Sequence, residues 1–264
     1  MTPPAAVLDE ISFLARAPSR VRILVFLSES GPTTKRELRG QLSQSRSTIS
    51  RGVDSLVEAG WLRERSDRVE LTPTGALVIQ EFLGLAETMA TAEELSPFLE
   101  WFPVSEFDLA VEEFQSGTVT GAVDGDPYAP ARKHTNRIRT AERLRALLPS
   151  IGQNAISEIH RRILAGDLEA TLIVSSSVET RIRTTQLAPQ FEEMLSTDRL
   201  TVLVTESVPF FLGLVDDRTT QIGVEDDNGI PRALFETDAE AVREWAEALF
   251  ADYREASSSR LTEL

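Results

Sequence analysis

Residues 34–71 read TKRELRGQLSQSRSTISRGVDSLVEAGWLRERSDRVEL. Thr34-Lys35-Arg36-Glu37 has capping-box spacing, with the threonine hydroxyl facing an orphan amide and the glutamate reaching back to the cap, so a short helix is predicted to Leu42. The polar turn Ser43-Gln44-Ser45 separates it from a second helix, Arg46 to Ala59, with Gly60 supplying the left-handed exit. On that second helix Ile49, Val53, Leu56 and Val57 gather on one face, and Ser47, Thr48, Arg51, Asp54 and Ser55 occupy the other. Trp61 to Arg65 and Arg68 to Leu71 then alternate apolar and charged residues on either side of Ser66-Asp67, which predicts a hairpin with arginines near its tip. Pro73 stands at the first position of the next helix.

Upstream, Val7, Leu8, Ile11 and Leu14 recur at helical spacing, predicting a helix over Ala5–Ala15 that Pro18 ends. A second helix is expected from Ser19 to Ser28, closed by Gly31-Pro32. Downstream, the helix from Gly75 to Thr91 carries Leu77, Val78, Ile79, Phe82, Leu83, Leu85 and Met89, more apolar surface than a lone surface helix should show. Two explanations are a homodimer contact, which is the one favoured, and packing beneath a second domain.

Helix, capped short helix, turn, amphipathic helix and basic hairpin is the order of a winged helix-turn-helix. The chain resembles the archaeal winged-helix transcription regulators of the ArsR and MarR type. The resemblance rests on Arg20-Val21-Arg22-Ile23-Leu24, Ser47-Thr48-Ile49-Ser50-Arg51-Gly52-Val53, Leu56-Val57-Glu58-Ala59-Gly60-Trp61-Leu62 and Leu71-Thr72-Pro73-Thr74-Gly75. It implies binding to double-stranded DNA. By size and position Ser47, Thr48 and Arg51 are expected at base edges, with Arg51 suited to a bidentate guanine contact. Lys35, Arg36, Arg46, Arg63, Arg65 and Arg68 are expected on phosphates. As a homodimer such a protein would read two half-sites a helical turn apart.

The charge of the chain first appears to forbid this. Its 264 residues carry 27 basic and 42 acidic side chains, a net −15. Residues 1–90, however, hold eleven of each sign, so the whole excess lies beyond them. The division predicts two domains, 1–91 for DNA and an effector or assembly domain over 92–264. Only Lys35 and Lys133 are lysines. Abundant carboxylates with few lysines suit a protein working in concentrated salt, hence an expected halophile.

After residue 92, strands are expected over Thr118–Val123, Ala170–Ser175, Leu200–Thr205, Phe210–Val215, Thr219–Val224 and Ala233–Phe235. Helices are expected near Arg137–Leu147, Asn154–Ala165, Val178–Leu195 and Ala239–Arg254, giving an α/β domain with a mixed sheet. This segment resembles the FilR-type effector domain that follows winged helices in archaeal regulators. The residues concerned are Asp126-Pro127-Tyr128-Ala129-Pro130, Leu148-Pro149-Ser150-Ile151, Phe210-Phe211-Leu212-Gly213-Leu214 and Trp245 through Tyr253. What this implies is reception of a signal or association, with no particular ligand.

Other function classes find little support. There is no cysteine, which excludes thiolate metal sites and a cysteine nucleophile, and His134 and His160 are too few for a multi-histidine zinc site. Related effector folds are similar to the phospholipase D superfamily, whose chemistry uses His-x-Lys-x4-Asp, but here Asn136 and Ala141 stand where lysine and aspartate would follow His134. No catalytic role, metal or cofactor is therefore expected. Asp216-Asp217 and Glu225-Asp226-Asp227 read as ordinary acidic turns. No apolar run approaches a membrane span and no secretory leader is recognisable, so a cytoplasmic protein is expected. Arg132, Lys133, His134, Arg137 and Arg139 form a basic cluster expected just before or within a helix, which suits a small anionic effector. Their alternative is pairing with surrounding acids. A different reading of the whole chain is a protein-interaction module whose winged helix docks on protein.

Overall fold

The computed structural model describes residues 2–103, 111–123 and 125–262. The chain divides into two compact units, Met1–Met89 and Ala90–Leu264.

In the first unit α1 (Ala5–Ala15) and α2 (Pro18–Ser30) are separated at Arg16-Ala17, and Pro18, expected to stop the first helix, instead begins the second. That position suits a residue with no amide hydrogen. The two-residue strand β1 (Thr33–Thr34) leads into α3 (Lys35–Gln41), where the capping box forms as the sequence predicts. Thr34 Oγ1 accepts from the Glu37 amide at 3.2 Å and Glu37 Oε2 accepts from the Thr34 amide at 2.9 Å. Helix α4 (Arg46–Glu58) is capped by Ser45 and ends before Gly60, whose φ of 76° is the left-handed exit. Strands β2 (Leu62–Arg65) and β3 (Arg68–Leu71) form the hairpin, and β1 adds a third strand in the order β1-β3-β2. Ile23, Leu24 and Leu27 of α2 pack with Ile49, Val53 and Leu56 of α4, all but fully buried. A core this small depends on such complete burial, each side chain stabilising by about 1.5–3 kcal/mol.

Helix α5 (Pro73–Leu99) is longer than the sequence pattern suggests. Val78, Ile79 and Phe82 join the first core, whereas Leu95 and Phe98 join the second unit's core.

The second unit has an eight-stranded mixed sheet in the order β11-β7-β6-β5-β8-β9-β10-β4. Its elements run β4 (Thr118–Gly121), α6 (Ala129–Ile138), β5 (Arg143–Leu148), α7 (Gln153–Leu164), β6 (Glu169–Ser175), α8 (Ser176–Thr184), α9 (Ala188–Leu195), β7 (Leu200–Thr205), β8 (Phe211–Val215), β9 (Thr219–Glu225), β10 (Pro231–Thr237), α10 (Glu240–Ala256) and β11 (Ser259–Leu261). Among the described residues only β5, β6 and β7 pair in parallel; the other pairings of this sheet are antiparallel. Leu144, Ala146 and Leu148 of β5 enter one core with α7 and α9, while Leu147 enters the other with α10. That alternation puts both faces of the strand in apolar surroundings, as a central strand requires.

Two expectations are corrected. The helix expected over Arg137–Leu147 is instead the end of α6 followed by β5. The long helix expected over Val178–Leu195 is two helices, divided at Thr185 to Leu187. Ten α-helices are present among the described residues, and none is long and apolar enough to cross a membrane.

Candidate nucleic-acid interface and ligand cleft

The exposed edge of α4 is built from its cap outward. Ser45 Oγ accepts from the Thr48 amide at 3.2 Å and lies 3.0 Å from Ser47 Oγ and 2.8 Å from Thr48 Oγ1. The Ser47 and Thr48 hydroxyls therefore share hydrogen bonds with the cap, and Thr48 is half-buried. Ser47 and Arg51 are exposed, and Arg51 Nε donates to the Ser47 carbonyl at 3.2 Å, leaving its terminal nitrogens available.

The cations expected on phosphates divide by what already holds them. Arg36 and Arg46 are exposed and have no polar side-chain partner among the described residues. Lys35 is engaged: its Nζ lies 3.1 Å from Asp54 Oδ1 on α4 and 2.7 Å from Glu64 Oε1 on β2. The hydrogen bond with Glu64 raises its pKa against a smaller opposing effect of burial. Lys35 thus ties the start of α3 to helix and hairpin. Arg63 and Arg65 pair with Glu70 at 2.6 and 3.5 Å, and Arg68 donates to the Pro32 carbonyl at 3.1 Å. These three remain exposed at the hairpin.

Sequence reasoning missed Arg20. Its Nε donates to Ser55 Oγ at 3.2 Å, another nitrogen donates to the Phe13 carbonyl at 2.5 Å, and the guanidinium lies 3.7 Å over the Phe13 ring. It fixes α4 against α2 and α1. The one available signal was an arginine at the start of a helix that turns apolar from Ile23.

In the second unit the basic cluster lies in the body and carboxyl end of α6, with Arg139 as its C-cap, not at a helix amino terminus. Arg132 forms a bidentate pair with Asp126. Lys133 lies 3.3 Å from Glu236, and Arg137 donates through Nε and a terminal nitrogen to both Glu236 oxygens at 3.1 and 2.8 Å. Gln221 Nε2 also donates to Glu236 at 2.6 Å, and its Oε1 lies 2.8 Å from His134 Nδ1. Burial pushes the Glu236 pKa up, but the Arg137 and Gln221 hydrogen bonds outweigh it and hold the carboxylate ionised. Desolvation pushes His134 below the ordinary imidazole value, so it is neutral. The five residues do not converge on one anion: acids neutralise three, His134 is uncharged, and Arg139 alone is a cation without a partner among the described residues.

A cleft of about 1050 Å³ nevertheless lies over the sheet beside α6 and α7. Arg132, His134 and Arg139 reach its lining, together with Ser150, Phe211 and Glu225. The acidic turns serve the backbone: Asp216 Oδ1 accepts from the amides of Glu142 and Arg143, and Asp226 Oδ1 from those of Asn228 and Ile230. Among the described residues no group of three His, Asp or Glu side chains could hold a metal ion.

This is an α+β protein with one small unit presenting an arginine-bearing helix and hairpin, and a second unit built on a mixed eight-stranded sheet. Residues 8–94 match the family model of the HVO_A0261 N-terminal domain, and residues 127–256 match that of the middle domain of methanogenesis regulatory protein FilR1. No curated protein matches the chain. Among solved structures, the archaeal chromatin protein TrmBL2 is 15% identical, covers 94% of this chain and 97% of its own, and has a TM-score of 0.43. Nuc, a phospholipase D family member from Salmonella typhimurium, is 11% identical over 55% of this chain and 97% of its own, with a TM-score of 0.43. NucT from Helicobacter pylori is 10% identical over 53% and 96%, with a TM-score of 0.42.

Proposed function

We propose that the chain is a sequence-specific DNA-binding transcription regulator with a ligand-receiving second unit. The observation that carries this is the exposed edge of α4, where Ser47 and Arg51 stand clear of the core beside the free Arg46 and the hairpin arginines. A narrow polar edge on a helix that packs by its opposite face suits entry into a major groove. The winged helix-turn-helix reading assigns α3 and α4 to the helix pair and β2–β3 to the wing. The match to a family described as regulatory supports the same class.

The homodimer belongs to this reading. Val7, Leu8 and Ile11 of α1 and Leu77, Leu83, Leu85 and Met89 of α5 are exposed apolar residues, with Met89 at 66%. A second copy covering them would remove that surface from water and space two α4 helices on DNA. The carboxylate-rich, lysine-poor composition suits a salty cytoplasm.

Mobility shift against duplex from the protein's own promoter, in high-potassium buffer, tests the proposal. Arg51→Ala is expected to relax sequence preference at one base pair, at a cost of about 1–3 kcal/mol. Unchanged discrimination among base-substituted duplexes would remove Arg51 from base reading, and no shift of any duplex would overturn DNA binding.

A further inference from the structure

The cleft over the sheet is floored by an aromatic ring that two glycines accommodate. Phe211 lies across Gly213 and Gly223: a Cβ on either would stand 2.9 Å from its ring. His134 meets that ring edge-on, with centroids 4.5 Å apart. Larger residues at 213 and 223 would displace the phenyl group, so the two glycines keep this ring at the cavity.

One wall carries Glu225, the last residue of β9. Ser150 donates to its Oε1, and Oε2 has no hydrogen bond among the described residues. Among the described residues no lysine or arginine pairs with it, although the adjacent Asp226 has Arg232 at 2.6 Å. Two arginines lining the same cleft are already committed elsewhere, Arg132 to Asp126 and Arg161 to Glu158. Arg139 and Arg181 also reach the lining, but both are exposed to water, where their charge is screened. Burial raises the Glu225 pKa, the Asp226 charge adds to this, and the Ser150 hydrogen bond opposes it.

We propose that this cleft binds an organic amine, its ammonium group on Glu225 and its apolar or aromatic body over Phe211. An ammonium supplies the missing charge partner and the open hydrogen bond to Oε2, and an apolar or aromatic body packs on the Phe211 ring. The remaining lining, including Leu148, Ile151 and Leu234, suits a hydrocarbon body. This rests on the reading that the second unit receives a small ligand, but it departs from an anionic effector.

Calorimetric titration of the full chain with phenethylamine, and in parallel with 3-phenylpropionate, separates the two signs of charge on similar bodies. Saturable phenethylamine binding that weakens at least about tenfold in Glu225→Gln is the expected result. The glutamine still accepts from Ser150, and an unchanged thermal midpoint shows that the variant is folded. Phe211→Leu is expected to weaken the amine as well. No saturation by phenethylamine, equal affinity in Glu225→Gln, or tighter binding of 3-phenylpropionate would each overturn the assignment. In the last case the ligand-receiving reading survives without the amine, and the DNA reading is measured separately by mobility shift.

Discussion

Lys35 and His134 show how a residue's partners decide its role. Both were legible as polar residues in interesting places, but sequence spacing cannot reveal a partner 19 or 87 positions away, such as Asp54 for Lys35 or Gln221 for His134. Lys35 spends its charge on the unit's own framework. His134, whose folded pKa is depressed by burial, makes a pH prediction with a definite sign. Below the unfolded imidazole value of about 6.5 the unfolded chain takes up a proton that the folded chain refuses, so stability falls as pH drops from there toward the folded pKa. Above about 6.5 the contribution is fully present and flat. Denaturant unfolding across this mildly acidic window should show the loss in the wild type and a flatter profile in His134→Gln. Equal slopes in the two proteins would mean that His134 is not the titrating group.

Elements whose determinants are local were the readable ones. The capping box at Thr34, the cap-to-exit span of α4 and the hairpin at Ser66-Asp67 formed as expected because each is specified within a few residues. The segment around Arg143 was misread as helix because arginine, alanine and leucine all favour helices locally. Pairing with β6 and β8 in the centre of the sheet overrides that preference. β1 and β11 were missed because two- and three-residue strands have too little pattern to read. In the cleft over the sheet, Phe211 and Glu225 came from β8 and β9, far in sequence from the basic cluster that drew notice. The start of α5 offers a test of local packing: a Cβ on Gly75 would lie 2.0 Å from the Trp61 carbonyl oxygen, which also accepts from the Thr72 amide at 2.9 Å. Backbone cannot rotate aside as a side chain can, so Gly75→Ala should destabilise by about 1–3 kcal/mol despite alanine's better helix propensity. Chemical denaturation measures this, and a stabilised variant would contradict the contact. Further along α5, Leu83→Glu should convert the proposed dimer to monomer in sedimentation velocity, with the fold intact because the side chain is exposed.

At the scale of the molecule, charge is partitioned rather than uniformly acidic. All of the −15 lies beyond residue 90, and within the first unit acids already hold Lys35, Arg63 and Arg65. Few cations are then left to displace counterions from DNA. Among the described residues Arg36 and Arg46 have no polar side-chain partner, Arg51 is partly committed to its own helix, and Arg63 and Arg65 contribute by moving off Glu70. Roughly four phosphate contacts per protomer would contribute about −4 per half-site to the slope of log K against log salt, shallower than if all eleven basic residues of the unit took part. A shallow slope is what lets binding persist in concentrated salt, where affinity must come from fit and base contacts. Arg46→Ala should weaken all duplex sequences alike and reduce the magnitude of the slope by about 1 per half-site, about 2 for the proposed dimer, in contrast to the sequence-selective effect of Arg51→Ala. Fluorescence anisotropy over a potassium chloride series measures both. A slope unchanged by Arg46→Ala would take that residue off the phosphates and shift the electrostatic contact to the hairpin.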